Sequence, residues 1–385
     1  MKVLLVGPDH PQGSLPPYLD VLAAELRRLG AVVDRLGSTG VPYDPGRDRF
    51  LTTAEIVAAT DALAAQLDPG GYDVISLHFG NLEIEQLLPG RWRHRGDPLP
   101  PVVVHVHALD PTLFTLHRPD PGLRKMVDAT LAGADALLYF GHYAQAALAT
   151  RLPAAAERPS RVAPLPSTIP AGTTPAAGPA LAAALDDPDP DTTVISLCGY
   201  AAPWKSATDL LAALERTQAP LRVVLAGPFW DDPTQAGTEL LPAVGRSQHL
   251  GRAAQLIVVP EYLDPPARAA LVTGSHAGVF PYRPQHTFQG SGAIADYLAA
   301  ARPVIAADVA NMAELAADAG VIVPPADPAA LAAALDRYAT DPFHRAQLAA
   351  AARRRAHRFT PPGHAAACLA LYQKAARTSS CSRAS

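Results

Sequence analysis

Residues 286–309 read HTFQGSGAIADYLAAARPVIAADV. The stretch has three parts: a loop with Gly290 and Gly292, a small-residue run that predicts a helix with Asp296 in its first turns, and an apolar run after Pro303 that is typical of a buried strand. A glycine-rich loop that leads into a helix leaves backbone N–H groups free to bind an anion, and the helix dipole favours negative charge there. The stretch therefore predicts a loop–helix–strand unit of an α/β domain, and an anion site at the helix start is the functional interpretation.

The same alternation of short apolar runs and helical patterns extends over the whole chain. In the first half the predicted strands are Val3–Val6, Val32–Leu36, Val74–Leu77, Val102–Val106 and Ala136–Tyr139. In the second half they are Val194–Leu197, Leu221–Ala226, Leu256–Val259, Ala277–Phe280 and Val304–Ala307. Strands that alternate with helices imply parallel βαβ units, so the predicted fold class is α/β with two doubly wound sheets.

A segment rich in Pro, Gly and Ala separates the two halves and is interpreted as a linker with one short helix. The predicted boundaries are 1–165 for the N-terminal domain, 166–192 for a linker, 193–360 for the second domain, 361–377 for a C-terminal helix that packs back on the first domain, and 378–385 for a disordered tail. Two similar α/β halves make the cleft between them the expected ligand site.

Composition and charge exclude several classes of protein. The net charge is -4, with 32 Lys and Arg against 36 Asp and Glu, so neither nucleic acid nor an anionic membrane is an expected partner. No apolar stretch reaches membrane-spanning length, and the first apolar run, Val3–Val6, is too short for a signal peptide. The three cysteines are far apart, which suggests neither a disulfide framework nor a zinc cluster. A cytoplasmic enzyme is therefore expected.

Polar residues follow the predicted strands at the edge where ligands bind to parallel sheets. They are His10 and Gly13 after the first strand, His78 after the third, and His107 and Asp110 after the fourth. Strand alternation puts His105 and His107 on one face, and only His107 emerges beyond the strand end. A histidine there suits charge or proton handling near neutral pH, while the alternative is a pair of hydrogen-bonded structural histidines. No acidic or thiol partner lies at a ligand-like spacing, so no metal site is predicted.

Lys205 follows the first strand of the second half, in CGYAAPWKSATDL, and comes directly before a predicted helix. A lysine at a helix N-terminus below a strand end suits a phosphate group, because the ammonium adds a full charge to the backbone donors. The alternative is a solvated surface lysine, which is the usual state of this residue.

These motifs resemble those of the retaining GT-B glycosyltransferases, in particular the large bacterial family 4 group. The similar segments are GYAAPWKSATDLLAAL at 199–214, which resembles the diphosphate loop, VVHVHALDPTLF at 103–114, which resembles the loop of the cleft histidine, and 301–335, which resembles the strand–loop–helix after the donor site. The resemblance implies two Rossmann-like domains with an interdomain cleft. It also implies a nucleotide-sugar donor, UDP before GDP, bound mainly by the second domain, with no cofactor and no metal requirement.

The resemblance also assigns roles to residues of this chain. Lys205 falls on the lysine that binds the donor diphosphate, Asp296 on the second acid of a Glu-x7-Glu motif that holds the ribose, and His107 on the cleft histidine near the transferred sugar. The candidate donor-binding residues are Gly13, Tyr200, Glu261, Tyr262, Gln289, Gly290, Ser291, Gly292, Ala293 and Asp296. The acceptor-side candidates are His10, His78 and Asp110, and the catalytic candidates are His107 and Lys205.

The chain departs from the family pattern at two positions. Tyr200 stands where an arginine usually accompanies the diphosphate lysine, and Phe288 stands where the first Glu of the paired acids contacts sugar hydroxyls. Arg283 and His286, from the same loop, are candidates to replace the missing positive charge.

The expected function is transfer of a sugar, with retention, from a nucleoside diphosphate sugar to a small soluble acceptor, by a monomer or homodimer, in a process such as specialised-metabolite biosynthesis. Two alternatives remain open: a non-catalytic nucleotide-sugar binder, and an epimerase-like or phosphorylase-like GT-B enzyme. A nicotinamide-dependent oxidoreductase is disfavoured because the first βα loop lacks the G-x-G-x-x-G spacing.

Overall fold

The computed structural model describes residues 1–9, 15–39, 43–44, 49–79, 84–109, 121–186, 192–199, 202–228, 254–284 and 290–384. The chain divides into two compact units. The first consists of Met1–Pro164 and Pro361–Ser385, and the second of Leu165–Gln285 and Gly290–Thr360.

The first unit is built on a six-stranded sheet with the order β2-β1-β5-β6-β7-β8, in which every neighbouring pair is parallel. Its strands are β1 (Lys2–Val6), β2 (Val32–Leu36), β5 (Val74–Phe79), β6 (Val102–Val106), β7 (Ala136–Tyr139) and β8 (Ser160–Val162). A separate antiparallel pair consists of β3 (Tyr43–Asp44) and β4 (Arg49–Phe50). The helices are α1 (Leu15–Arg28), α2 (Thr53–Ala64), α3 (Leu88–Arg95), α4 (Pro121–Ala132), α5 (His142–Arg151) and α6 (Pro153–Ala156), and the C-terminal segment adds α14 (Pro361–Ala384).

The second unit repeats this plan with the order β11-β10-β9-β12-β13-β14, again parallel throughout. Its strands are β9 (Thr193–Cys198), β10 (Leu221–Ala226), β11 (Ala254–Val259), β12 (Ala277–Phe280), β13 (Val304–Ala307) and β14 (Gly320–Val323). Its helices are α7 (Pro179–Leu185), α8 (Ala207–Leu214), α9 (Pro265–Gly274), α10 (Gly292–Ala299), α11 (Met312–Ala316), α12 (Pro328–Thr340) and α13 (Pro342–Arg355). The α/β class with two doubly wound sheets is thus confirmed.

The central strands are apolar because helices cover both faces of each sheet. Val3–Val6 and Val102–Val106 are buried at every position, which explains why they read as continuous apolar runs instead of alternating ones. In each sheet the strand order reverses beside the first strand of the unit, between β1 and β5 and between β9 and β12. A crevice forms outside the carboxyl ends of the strands at such a reversal, so these two positions are where ligands of doubly wound sheets bind.

The segment predicted as a linker, 166–192, is not a bare connection. It lies in the second unit, and its helix α7 packs on α9 and β11 with Leu181 and Ala184 buried. The helix Pro179–Leu185 agrees with the one short helix expected in this segment, while its packing within the second unit was not predicted.

The tail predicted as disordered, 378–385, continues α14 as far as Ala384. The chain contains no Pro or Gly after Gly363 that would end this helix. Its earlier turns bury Ala365, Cys368 and Tyr372 against the first sheet and α1. Among the helices that the structure describes, none is long and apolar enough to cross a membrane.

Candidate functional site

Lys205 lies just beyond β9, at the strand reversal of the second sheet. The chain turns at Gly199, whose φ of 105° lies in the region that favours glycine. A Cβ atom on Gly199 would lie 2.6 Å from Lys205 Nζ, so the ammonium group sits directly over the glycine backbone. Burial lowers the pKa of Lys205 to about 8, because the desolvated ammonium loses its hydration. A half-buried cation at this place is suited to an anionic ligand.

A network of charged and polar side chains holds the loop of Lys205 in place. Ser206 adopts a left-handed backbone conformation with φ 48°, caps α8 by accepting from the Asp209 N–H, and donates its hydroxyl to Asp209 Oδ2 at 2.5 Å. Arg283 binds the same carboxylate twice, with Nε to Oδ2 at 2.9 Å and Nη2 to Oδ1 at 2.8 Å. Its backbone N–H donates to the carbonyl of Trp204. Burial works against ionisation of Asp209, yet the bonds from Arg283 and Ser206 hold its pKa below the usual value.

The network corrects one expectation. Arg283 was a candidate to replace the missing arginine at the diphosphate. Its guanidinium is instead bound to Asp209, where it positions the Lys205 loop.

The start of α10 supplies the backbone amides predicted for the donor. Gly290 lies against the buried side chain of Asn311, which a Cβ on residue 290 would overlap. Ser291 precedes the helix with an extended backbone and makes no capping bond, while its hydroxyl pairs with Tyr282 Oη at 3.2 Å. Gly292 is exposed and has open space where a side chain would be. The N-cap side chain of Ser291 therefore leaves the first N–H groups of α10, which include that of Ala293, without a capping bond.

Asp296 is buried and bound to protein groups. Its Oδ1 accepts from Ser167 Oγ at 2.8 Å and from the backbone N–H of Thr168 at 2.9 Å, and its Oδ2 lies 3.7 Å from Arg268 Nη1. The carboxylate thus ties the start of the second unit to α10. These bonds give Asp296 a structural role that the resemblance did not indicate, and they compete with the proposed ribose contact.

Arg268 is a cation that the sequence analysis missed. Its side chain is 17% exposed, and Nε and Nη2 have no hydrogen-bond partner among the residues that the structure describes. Burial raises the pKa of the Cys198 thiol to about 11, while Arg268 and Lys205 both oppose that rise. Both cations therefore lie near Cys198, at the end of β9. No sequence motif marks Arg268, since it is brought there by α9.

The other donor-side candidates are either exposed on the second unit or outside the described residues. Glu261 and Tyr262 are exposed after β11, just before the Asp264 cap of α9, where a base could be contacted. Several candidates lie outside the described residues: Gly13, Tyr200 and Gln289 on the donor side, His10 and Asp110 on the acceptor side, and the departure at Phe288.

His107 lies just beyond β6 in the first unit and is half-buried. As strand alternation predicts, His105 and His107 are on one face, with ring centroids 6.4 Å apart and an angle of 17° between the planes. His78 was an acceptor-side candidate, but it is fully buried, and its Nδ1 lies 3.2 Å from His107 Nε2. Its neighbour in the sheet is His105, and its side chain is buried inside the first unit.

Burial keeps all three rings neutral. It lowers the pKa of His107 to about 3 and puts the pKa values of His78 and His105 well below their usual range, and the neighbouring imidazoles add to these shifts. The three rings each offer a nitrogen close enough to the others for a metal ion, and a second such group consists of ring nitrogens of His105 and His364 with the Sγ of Cys368.

The second unit matches a known enzyme family. Residues 192–341 match the family described as "Glycosyl transferases group 1". The match covers less than half of the chain. It covers Lys205 and the α10 start, and all donor-binding candidates except Gly13 lie within the matched residues. No curated protein sequence matches this chain.

Solved structures extend the similarity of fold to nearly the whole chain. A sucrose-phosphate synthase from Thermosynechococcus elongatus is 18% identical with a TM-score of 0.74, over 97% of this chain and 98% of that one. Anabaena HepE in complex with UDP and glucose is 17% identical with a TM-score of 0.66, over 99% of both chains. A trehalose-6-phosphate protein from E. coli bound with UDP-2-fluoro glucose is 14% identical with a TM-score of 0.70, over 97% of this chain and 99% of that one. These similarities show that this chain has the two-domain GT-B fold.

Proposed function

We propose that this protein is a retaining glycosyltransferase that moves a sugar from a nucleoside diphosphate sugar, with UDP as the preferred nucleotide, to a small soluble acceptor. The observation that carries the proposal is the position of Lys205, whose ammonium lies over Gly199 at the strand reversal of the second sheet. The family match of the same region and the UDP-containing structures of similar fold support the choice of donor.

The donor diphosphate lies between Lys205 and the uncapped N–H groups of α10, with Arg268 as a second cation. Positive groups fixed before the reaction stabilise the charge that develops on the leaving diphosphate, and this stabilisation is a large part of catalysis in such sites. The bond between the anomeric carbon and the diphosphate oxygen breaks, and the bond to the acceptor oxygen forms on the same face. The acceptor proton passes to the departing diphosphate oxygen. Cationic side chains fill the role that a metal ion has in other transferases, and His107 binds the transferred sugar.

The basic side chains on α3 favour a soluble acceptor, because they are bound to other groups of the protein. Arg91 binds both carboxylate oxygens of Asp61, Arg95 pairs with Asp97 at 3.1 Å, and Arg93 donates to the carbonyl of Gly133. Guanidinium groups that are bound to their own protein attract an anionic lipid surface weakly. We expect no binding to vesicles with 30 mol% phosphatidylserine, and strong binding would instead point to a lipid acceptor.

The test is a thermal-shift panel with UDP, GDP, ADP and dTDP, each with EDTA and again with Mg²⁺. A ligand at 100 times its Kd adds about 2.7 kcal/mol of stability, which is readily visible. We expect UDP to stabilise the protein without metal, Lys205→Ala to remove the shift, and Lys374→Ala, an exposed lysine on α14, to retain it. Equal shifts for both variants would refute the proposed donor site.

A non-catalytic nucleotide-sugar binder is the second candidate, because the bonds of Asp296 to Ser167 and Thr168 occupy an acid that the resemblance assigned to the ribose. The two candidates differ in donor consumption. A transferase releases UDP from a UDP-sugar when an acceptor is added, whereas a binder releases none with any acceptor. An epimerase-like enzyme consumes the donor with no acceptor present.

A further inference from the structure

The interior of the first unit contains a continuous chain of hydrogen bonds between side chains, which we call the imidazole–hydroxyl chain. It runs from the half-buried His107 to a backbone carbonyl. Its members, in order, are His107, His78, Ser76, Tyr372, His105, Tyr18, His364 and the carbonyl of Pro164. They come from α1, β5, β6, α14 and the loop that contains Pro164, so the tertiary structure alone assembles them.

The first half of the chain connects His107 with α14. His107 Nε2 lies 3.2 Å from His78 Nδ1, and His78 Nε2 lies 2.8 Å from Ser76 Oγ. Ser76 Oγ lies 2.6 Å from Tyr372 Oη. All three distances allow hydrogen bonds.

The second half ends on the carbonyl. Tyr372 Oη lies 2.8 Å from His105 Nε2, and His105 Nδ1 lies 3.0 Å from Tyr18 Oη. Tyr18 Oη lies 2.8 Å from His364 Nε2, and His364 Nδ1 lies 2.9 Å from the oxygen of Pro164.

The imidazoles of the chain are neutral at physiological pH. Burial lowers the pKa of His364 to about 4, as it lowers those of the other three rings. The charged group that acts on His78 is Arg35, a cation, which disfavours protonation further. A neutral imidazole has one N–H donor and one acceptor nitrogen, and a hydroxyl has a single hydrogen to donate.

These rules fix the direction of every bond, starting from the carbonyl, which can only accept. His364 donates from Nδ1 to Pro164, so its Nε2 accepts from the Tyr18 hydroxyl. Tyr18 has then used its hydrogen, and it accepts from His105 Nδ1. His105 Nε2 accepts from the Tyr372 hydroxyl. The Cys368 thiol also hydrogen-bonds Tyr372, but its sulfur is a weaker acceptor than the bare ring nitrogen, and its S–H can donate to the Tyr372 oxygen instead.

The same direction continues to the far end of the chain. Tyr372, having donated to His105, accepts from Ser76, which in turn accepts from His78 Nε2. His78 Nδ1 is left as an acceptor, so His107 must donate from Nε2. The proton of His107 is thereby assigned through seven hydrogen bonds.

We propose that the imidazole–hydroxyl chain, anchored on the carbonyl of Pro164, holds His107 in the Nε2–H tautomer and keeps its Nδ1 as a hydrogen-bond acceptor for a hydroxyl of the transferred sugar. The second clause rests on the proposed function, and the first does not. His107 is the chain member that solvent reaches, and no described residue hydrogen-bonds its Nδ1. His78, Tyr372 and His364 are then positioning residues that act on the sugar through His107.

A metal ion between His78, His105 and His107 is the competing interpretation of the same cluster. Both nitrogens of His78 and of His105 are already in hydrogen bonds. A metal on His78 Nδ1 and His107 Nε2 would also replace the one hydrogen bond between those rings. Because the buried nitrogens of His78 and His105 already have hydrogen-bond partners, the imidazole–hydroxyl chain is favoured over a metal ion.

The test is the tautomer of His107, measured by long-range ¹H–¹⁵N NMR on protein labelled with ¹⁵N-histidine, with His107→Gln used to assign the signals. We expect Nε2 to be protonated and Nδ1 to be bare at pH 7.5, with an unchanged spectrum in EDTA. A protonated Nδ1, or stoichiometric zinc that EDTA removes with a change of these signals, would overturn the proposal.

Tyr372→Phe tests transmission through the chain, because it deletes the hydroxyl that joins Ser76 to His105. We expect a mixture of His107 tautomers. Equal populations would lower kcat/KM about twofold, since only one tautomer binds the sugar. The matched control is Tyr338→Phe, whose buried hydroxyl bonds to the carbonyl of His276 in the second unit, and its His107 signals should stay as in the wild type.

The two clauses fail separately. If His107 keeps its tautomer in Tyr372→Phe, with the fold verified by circular dichroism, the chain does not control the tautomer of His107 and this part of the proposal is overturned. If His107 is the Nε2–H tautomer but the protein transfers no sugar, the role of the imidazole–hydroxyl chain stands. The proposed function and the sugar contact are then rejected.

Discussion

The pKa of Lys205, lowered by burial to about 8, makes UDP affinity depend on pH in a calculable way. Only the charged ammonium attracts the diphosphate. With a pKa near 8, about 90% of free protein carries the charge at pH 7 and about 10% at pH 9. If the bound diphosphate keeps the lysine charged, the affinity for UDP should fall about tenfold over this range, or about 1.4 kcal/mol.

The assay is isothermal titration calorimetry with UDP at pH 7, 8 and 9. Lys205→Arg keeps a charge at every pH, so its binding should be nearly independent of pH. Lys205→Ala should bind weakly throughout, and its remaining slope reports the titration of the nucleotide itself. Lys374→Ala should reproduce the wild-type curve.

The reasoning would be refuted by a wild-type slope equal to that of Lys205→Ala. Such a result would mean that the ammonium does not contact the diphosphate, or that it titrates well above pH 9. Loss of the slope in Lys374→Ala would place the titrating group elsewhere.

Three further predictions concern stability. Asp296→Ala should lower the free energy of unfolding in urea by about 2–4 kcal/mol, because the groups that Asp296 accepts from lose a buried acceptor; unchanged stability with weaker UDP binding would assign it to the ribose. Gly290→Ala should lower the free energy of unfolding by about 1–3 kcal/mol through overlap with Asn311, whereas Gly292→Ala, which meets open space, should leave thermal unfolding near the wild type. Acid should destabilise the protein from pH 6.5 downwards, because histidines of the unfolded chain take up protons there, whereas folded His107 and His364, with pKa values of about 3 and 4, take them up only at lower pH. The free energy of unfolding, measured in urea, should fall by up to about 1.4 kcal/mol per pH unit for each histidine. A constant free energy of unfolding between pH 7 and 5 would contradict the buried neutral rings.

The fold could be predicted because its signals are local. Most strands of the two sheets are short apolar runs, and the alternation with helices is visible along the chain, so the parallel architecture follows. The edge strands β8 and β14 were not predicted. Two segments differ from the prediction because their composition is ambiguous. The Pro-rich segment before β9 contains the expected short helix, but it packs within the second unit, and the Ser-rich C-terminus continues α14 to Ala384.

The sequence singles out candidate site residues only where single residues carry the signal. Lys205 and the glycines near α10 stand out by their position after a strand or before a helix, and their roles stay predictions. The sequence did not indicate Arg268, because a lone arginine on an amphipathic helix looks the same whether it faces solvent or a ligand. The bond of Arg283 to Asp209 joins residues 74 positions apart, so no local pattern reveals it.

The sequence by itself determined that the chain forms two α/β halves, and that a lysine and a glycine-rich helix start follow strands of the second half. Those features depend on residues only a few positions apart, so they are visible as a pattern in the sequence. Tertiary structure alone decided that His107 ends a chain through Tyr372 and His364, which are 265 and 257 positions away by residue number. Hydrogen bonds of this kind depend on distance in space, and the folded sheet and α14 bring together groups that the sequence leaves unrelated.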